Sequence, residues 1–158
     1  MTTLAIGTTF LFDLVAELES RVEFGSGPLG RRMFDRVRTG TFTGPRLRGD
    51  VLPGSGDPLL IRADGTAVID ARAVLRTDDG AHILMTYAGR AVIPEDVRPA
   101  FNDAATRHEI DPSRYYIRTV PVFETGAPQY AWLNSIVAVG HGFVAPGGGI
   151  GYRVFAVS

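Results

Sequence analysis

Apolar and polar positions alternate along most of this chain in short runs, and glycine or proline interrupts them every ten residues or so. The clearest run is residues 69–87, IDARAVLRTDDGAHILMTY. Its period of two places Asp70, Arg72, Val74, Arg76 and Asp78 on one face and Ala71, Ala73, Leu75 and Thr77 on the other. Asp78, Asp79 and Gly80 supply a tight turn, because Asp-Gly tolerates the positive φ that a two-stranded reversal needs. The pattern predicts a β-hairpin with one charged face and one apolar face.

The same reading carries through the rest of the chain. Residues 8–24 predict a long strand and residues 25–30, GSGPLG, a loop. Residues 31–38 predict a strand whose arginines 31, 32, 36 and 38 lie near Asp35 and Glu23, which reads as a solvated face rather than a phosphate patch. Residues 40–49 turn into a strand with Arg46, Arg48 and Asp50 on one face. Residues 59–62 form a short strand, 114–123 and 129–139 two longer ones, and 151–157 the last. Residues 94–110 are the helical exception: Pro94 suits a first turn, Glu95 and Asp96 suit the positive end of a helix dipole, and Val97, Phe101, Ala104, Ala105 and His108 recur at helical spacing. The expected fold is mainly β, a single antiparallel, calycin-like β-barrel over residues 1–158. About eight to ten strands and one α-helix near residues 94–110 would make it, which is close to the size at which a closed barrel holds a small ligand.

Composition narrows the chemistry. Sixteen basic residues against seventeen acidic ones leave a net charge of −1, so no electrostatic footprint for nucleic acid or an anionic membrane is expected. Every basic residue is arginine, which removes Schiff-base lysine chemistry and a P-loop, and the absence of cysteine removes thiolate nucleophiles and thiolate metal sites. His82, His108 and His141 show no metal-binding spacing, Gly147 to Gly151 lacks the strand and helix of a nucleotide fingerprint, and no serine sits in a nucleophile elbow. The apolar stretch 4–15 is short and carries Asp13, so neither a signal peptide nor a membrane anchor is expected, and a cytoplasmic protein is the default. Neither a metal nor a cofactor is expected.

What remains are polar pairs on shared strand faces: Arg48 with Asp50, Asp70 with Arg72, Tyr116 with Arg118, and Trp132 with Asn134 beside Tyr130. Facing a lumen, carboxylates among arginines and a tyrosine make an acid–base site. Facing solvent, they are surface ion pairs of little energetic weight. The apolar alternate faces favour the solvated reading, whereas the aromatic cluster with one amide favours a pocket.

The segments GTFTGPRLRGDVLPGSGD, IDARAVLRTDDGA and YYIRTVPVFETGAPQYAWLN resemble the DUF3237 family, also called UPF0311, from about residue 10 to the end. Its pattern falls here on Gly44 and Pro45, on Asp57, on Asp70 to Arg72 and on Tyr130 to Asn134. Pro58 and Ala73 stand where the family commonly has an aromatic, and both changes widen a pocket. The resemblance implies a compact antiparallel barrel and no assigned activity. With the polar pairs, it leads to the expectation of a cofactor-independent acid–base enzyme, a cyclase, isomerase or hydratase/lyase, acting in the lumen on a small aromatic or polyketide-like molecule. Asp70 or Asp57 would move the proton, Arg72 and Arg48 would hold a developing anion, and Tyr116, Arg118, Tyr130, Trp132 and Asn134 would bind substrate. A non-catalytic carrier is the alternative. The expected partner is a small organic ligand, not nucleic acid or membrane, and homo-oligomerisation is left open.

Overall fold

Strands with one apolar face bury it by curling the sheet on itself, and here the curl completes a ring. The computed structural model describes residues 3–158. In chain order the strands are β1 (Thr8–Leu18), β2 (Val22–Gly27), β3 (Gly30–Thr43), β4 (Arg48–Val51), β5 (Gly56–Asp57), β6 (Leu60–Ile61), β7 (Ala67–Thr77), β8 (His82–Val92), β9 (Tyr116–Glu124), β10 (Ala138–Val144) and β11 (Ile150–Val157). Antiparallel pairing runs β1-β11-β10-β9-β8-β7-β4-β3, and β3 pairs back onto β1, so eight strands close the barrel. β4 is too short to span the gap between β3 and β7. The two-residue strands β5 and β6 bridge the remainder, with Asp57 opposite Asp35 of β3 and Gly56 opposite Arg72 of β7.

The predicted hairpin is β7–β8, in register from Ala67↔Ala91 to Arg76↔His82, with Gly80 at φ +89° in the turn. Ala67, Ile69, Ala71, Ala73, Leu75 and Thr77 point inward and are buried. The expected first strand ends early, because residues 19–21 break away before β2 and take Arg21 across to Asp35. The helical segment expected over 94–110 is present in shorter pieces: an α-helical turn, α1 (Arg98–Phe101), and a 3-10 turn at Arg107–Glu109. Asp103 interrupts it, since its carboxylate accepts from the N–H of Ala105 and offers the backbone a turn in place of a helix.

The stretch 129–139 departs from the strand reading. Pro128–Ser135 is a 3-10 helix, and the strand starts only at Ala138, so Tyr130, Trp132 and Asn134 share no strand face. Proline at the start of the segment fixes a helical φ and removes a ladder donor. Gly140 and Gly142 lie inside β10, where a Cβ would collide with Thr119 and Ile117 respectively.

Packing divides the barrel into two halves. Phe12 meets Phe42 and Phe123 edge to face at 5.6 and 6.1 Å, and with Leu75, Ile83, Met85 and Leu133, all at most 1 % exposed, it fills one half solidly. Each such side chain contributes about 1.5–3 kcal/mol by burial. In the other half two of the inward positions of β7 are small, Ala67 and Ala73, and the interior stays open.

Candidate functional site

The open half encloses a cavity of about 460 Å³, within the usual range for small-molecule sites. Its walls are aliphatic, from residues such as Leu14, Met33, Ile69 and Ile117. Against this background the polar groups are few.

Two carboxylates face each other across the β3–β5 pairing. Asp35 shares the inward face of β3 with Met33 and Val37, and Asp57 stands opposite it at the end of the Gly-rich loop. Arg21 grips Asp35 with both arms of its guanidinium, Nε to Oδ1 at 2.6 Å and Nη2 to Oδ2 at 2.8 Å, the strong fork geometry. Asp57 has no such cation; its Oδ1 accepts the backbone N–H of Asp70 at 3.0 Å. Burial therefore dominates and pushes its carboxyl up from 3.8 to about 6, a rise to which the charges of Asp35 and Asp70 add. The Asp70 N–H and Arg21 act in the opposite direction. Asp57 is thus poised to hold or release a proton near neutrality.

Tyr87 of β8 and Tyr152 of β11 meet edge to face, ring centroids 5.4 Å apart, on the cavity wall. Tyr152 lies over Gly142, where a Cβ would stand only 3.0 Å from its ring. Burial holds both phenols above their ordinary pKa, and the charge of Asp57 pushes the same way. Both remain protonated donors.

The mouth is covered by the segment carrying α1. Phe101 packs on Tyr115 at 5.4 Å, and the Tyr115 hydroxyl accepts the N–H of Val144 at 3.1 Å, which fixes the cover to β10. Arg98 donates Nε to the carbonyl of Ile93 at 3.1 Å, and Arg107 donates Nη2 to the carbonyl of Gly148 at 2.6 Å. Among the described residues no group of three histidine or acidic side chains stands close enough to hold a metal ion.

A family model described as a protein of unknown function, DUF3237, matches residues 6–157. The chain belongs to the DUF3237 family. A UPF0311 protein of Clostridium acetobutylicum is 32% identical over 130 residues, 82% of this chain and 80% of that protein. A crystal structure of a conserved protein of unknown function from Rhodopseudomonas palustris superposes with a TM-score of 0.88 at 27% identity, covering 99% of this chain and 100% of the other. The hydroalkoxylation enzyme phnH of Penicillium herquei is 32% identical over 102 residues, 64% of this chain and 50% of that protein. An enzyme structure from the same fungus shares the fold, TM-score 0.70 at 19% identity, over 100% of this chain and 98% of the other.

On this DUF3237 barrel, Asp57 alone among the residues expected from the sequence lines the cavity. Asp70 and Arg72 lie on the outer face of β7, paired to each other at 2.8 Å with their side chains 57% and 55% exposed. The reason is register: Ala71 and Ala73 take the inward positions. Arg48 is exposed on β4, and Tyr116 and Arg118 stack on each other outside β9, 4.8 Å from guanidinium to ring. Tyr130 donates its hydroxyl to Asp79 at 3.0 Å, Trp132 lies under Arg46 at 3.7 Å, and Asn134 brackets the backbone of Thr125, all away from the cavity. The polar residues gathered around Asp57 in the cavity, Arg21, Asp35, Tyr87 and Tyr152, were missed, as were Arg98 and Arg107 of the covering segment. Their signal was present: Met33, Asp35 and Val37 alternate on one strand face, as do Ile83, Met85 and Tyr87, so each polar member sits in an apolar row. No helix is long and apolar enough to cross a membrane.

Proposed function

We propose that the open half of the barrel is a cofactor-independent acid–base active site for a small, largely apolar, partly aromatic molecule, with Asp57 as the proton-transfer group. The observation that carries this reading is Asp57 itself: a carboxylate without a cation, raised toward neutrality in an aliphatic cavity, beside two phenols that stay protonated. A carrier of apolar ligands needs none of these groups.

The reaction class these groups serve is intramolecular addition of a hydroxyl to a conjugated alkene, or its reverse. Asp57 takes the proton from the hydroxyl as its oxygen bonds to the β-carbon. The alkene π electrons move to the carbonyl oxygen, which accepts hydrogen bonds from the Tyr87 or Tyr152 phenol. Asp57 then returns the proton to the α-carbon, so the product is an isomer of the substrate and the enzyme is regenerated. The hydroalkoxylation named for the Penicillium herquei relative is a reaction of this class, which supports the assignment.

A panel of ortho-hydroxy enones, beginning with 2′-hydroxychalcone, tests it in deuterated buffer. The expected result is enzyme-accelerated ring closure with deuterium at the α-carbon, reduced about 10²-fold or more in Asp57→Asn, in line with general acid–base contributions. Equal rates for both proteins would remove Asp57 from the chemistry, and saturable binding without turnover across the panel would favour a carrier.

A further inference from the structure

The charges around the cavity are unevenly compensated. Arg21 is neutralised by Asp35, and Arg31 by Glu23 at 2.7 Å. Arg98 and Arg107, which also line the cavity, meet only backbone carbonyls, and among the described residues neither forms an ion pair. The Nε of Arg107 is buried with no hydrogen-bond partner at all. Both arginines belong to the covering segment at the mouth, whereas Asp57, Tyr87 and Tyr152 lie on the strands of the barrel wall.

We infer that the molecule taken up by this cavity carries a carboxylate, or a planar oxyanion of the same shape, at the end facing the mouth, where Arg98 and Arg107 hold it. The inference rests on the proposed reading of the lumen as a binding site and adds the substrate's charge and orientation. An anionic head at guanidiniums with donors to spare gains charge-assisted hydrogen bonds. The apolar body then fills the aliphatic half, which orients the reacting carbons toward Asp57 and keeps the anion away from it. An anion bound the other way round would set like charges together wherever Asp57 is ionised.

Calorimetric titration with 2-naphthoate and with 2-naphthalenemethanol, matched in body and different in head, tests the inference on the intact chain. The expected result is that naphthoate binds about tenfold tighter than the alcohol. Arg98→Gln and Arg107→Gln should each weaken naphthoate by roughly fivefold and leave the alcohol unchanged, and added salt should weaken only naphthoate. Arg107→Lys, which keeps the charge, should retain more of the preference than Arg107→Gln. Equal affinity for the two probes, or a preference untouched by the glutamine variants, would overturn the inference while leaving the lumen a binding site. Failure of both probes to bind would remove the underlying reading as well.

Discussion

Asp35 and Asp57 stand directly opposite each other across β3 and β5, and only Asp35 has a cation. That asymmetry leaves one carboxylate of the cavity in a bidentate ion pair and the other without one. A rise from 3.8 to about 6 at Asp57 corresponds to about 3 kcal/mol between its two protonation states. The sign is unfavourable to the ionised folded protein: between these pH values the folded chain binds the proton more tightly than the unfolded chain, so stability falls as pH rises through that window. Asp57→Asn should remove this slope. Urea unfolding at pH 3 and pH 7.5 is expected to show the variant more stable than wild type by about 2–3 kcal/mol at the higher pH and close to it at the lower.

Arg21 lowers the Asp57 pKa while holding Asp35 in place. Arg21→Met leaves Asp35 without its cation, with both carboxylates facing one cavity. The pH above which turnover appears should then move up from about 6 by roughly half a unit to one unit. A carbon-13 NMR titration of Asp57 reads the same shift without substrate. An unmoved titration would mean that Arg21 serves the fold alone.

Tyr87 and Tyr152 can lose their hydroxyls without losing their mutual edge-to-face contact. Tyr87→Phe and Tyr152→Phe should therefore leave the melting temperature nearly unchanged. If a phenol donates to the developing oxyanion, its loss lowers kcat by about 10²-fold, the usual scale for one such donor. Steady-state kinetics on each variant identify which phenol is the donor.

Much of this architecture was legible in the residues. The β7–β8 hairpin followed from its period of two and its Asp-Gly turn, and the barrel followed from the number and spacing of such strands. The candidate site was less legible, because an alternating charged row such as Asp70, Arg72 and Arg76 draws attention while the cavity holds single polar residues inside apolar rows. Asp35 and Tyr87 each look like an interruption of a core face, and only ring closure shows that they share a space with Asp57. Residues 128–135 misled for a local reason. Tyr130, Trp132 and Asn134 alternate as a strand would, but a proline-started 3-10 segment with Leu133 fully buried overrides the pattern.

Asp70 and Arg72 supply a contrast to Asp57. Their ion pair is exposed, and pairs of this kind contribute about 0–1 kcal/mol. What Asp70 gives the site is its backbone N–H, which a side-chain substitution keeps. Asp70→Asn and Arg72→Met are expected to retain turnover, with stability changed by less than about 1 kcal/mol. The Asp70 charge contributes to raising Asp57, so Asp70→Asn should also move the pH profile slightly downward. A large loss of kcat in either variant would place this outer row in the chemistry.

Asn134 tests the division between the packed and the open half of the barrel. Its side-chain oxygen accepts the N–H of Thr125 at 2.8 Å and its amide donates to the carbonyl of the same residue at 2.9 Å. Thr125 in turn donates its hydroxyl to the carbonyl of His82 at 2.7 Å, tying the end of β9 to the start of β8. Asn134→Ala leaves two backbone groups of Thr125 without partners, and each unmade bond costs about 1–3 kcal/mol when water cannot replace it. Thr125 is 9% exposed, so partial hydration reduces the loss to a total of about 2 kcal/mol. Because neither residue reaches the cavity, KM and kcat below the unfolding transition should stay at wild-type values. Thermal unfolding and steady-state kinetics on the same preparation check both halves of the statement, and a raised KM at full folding would show that the capped end reports to the open one.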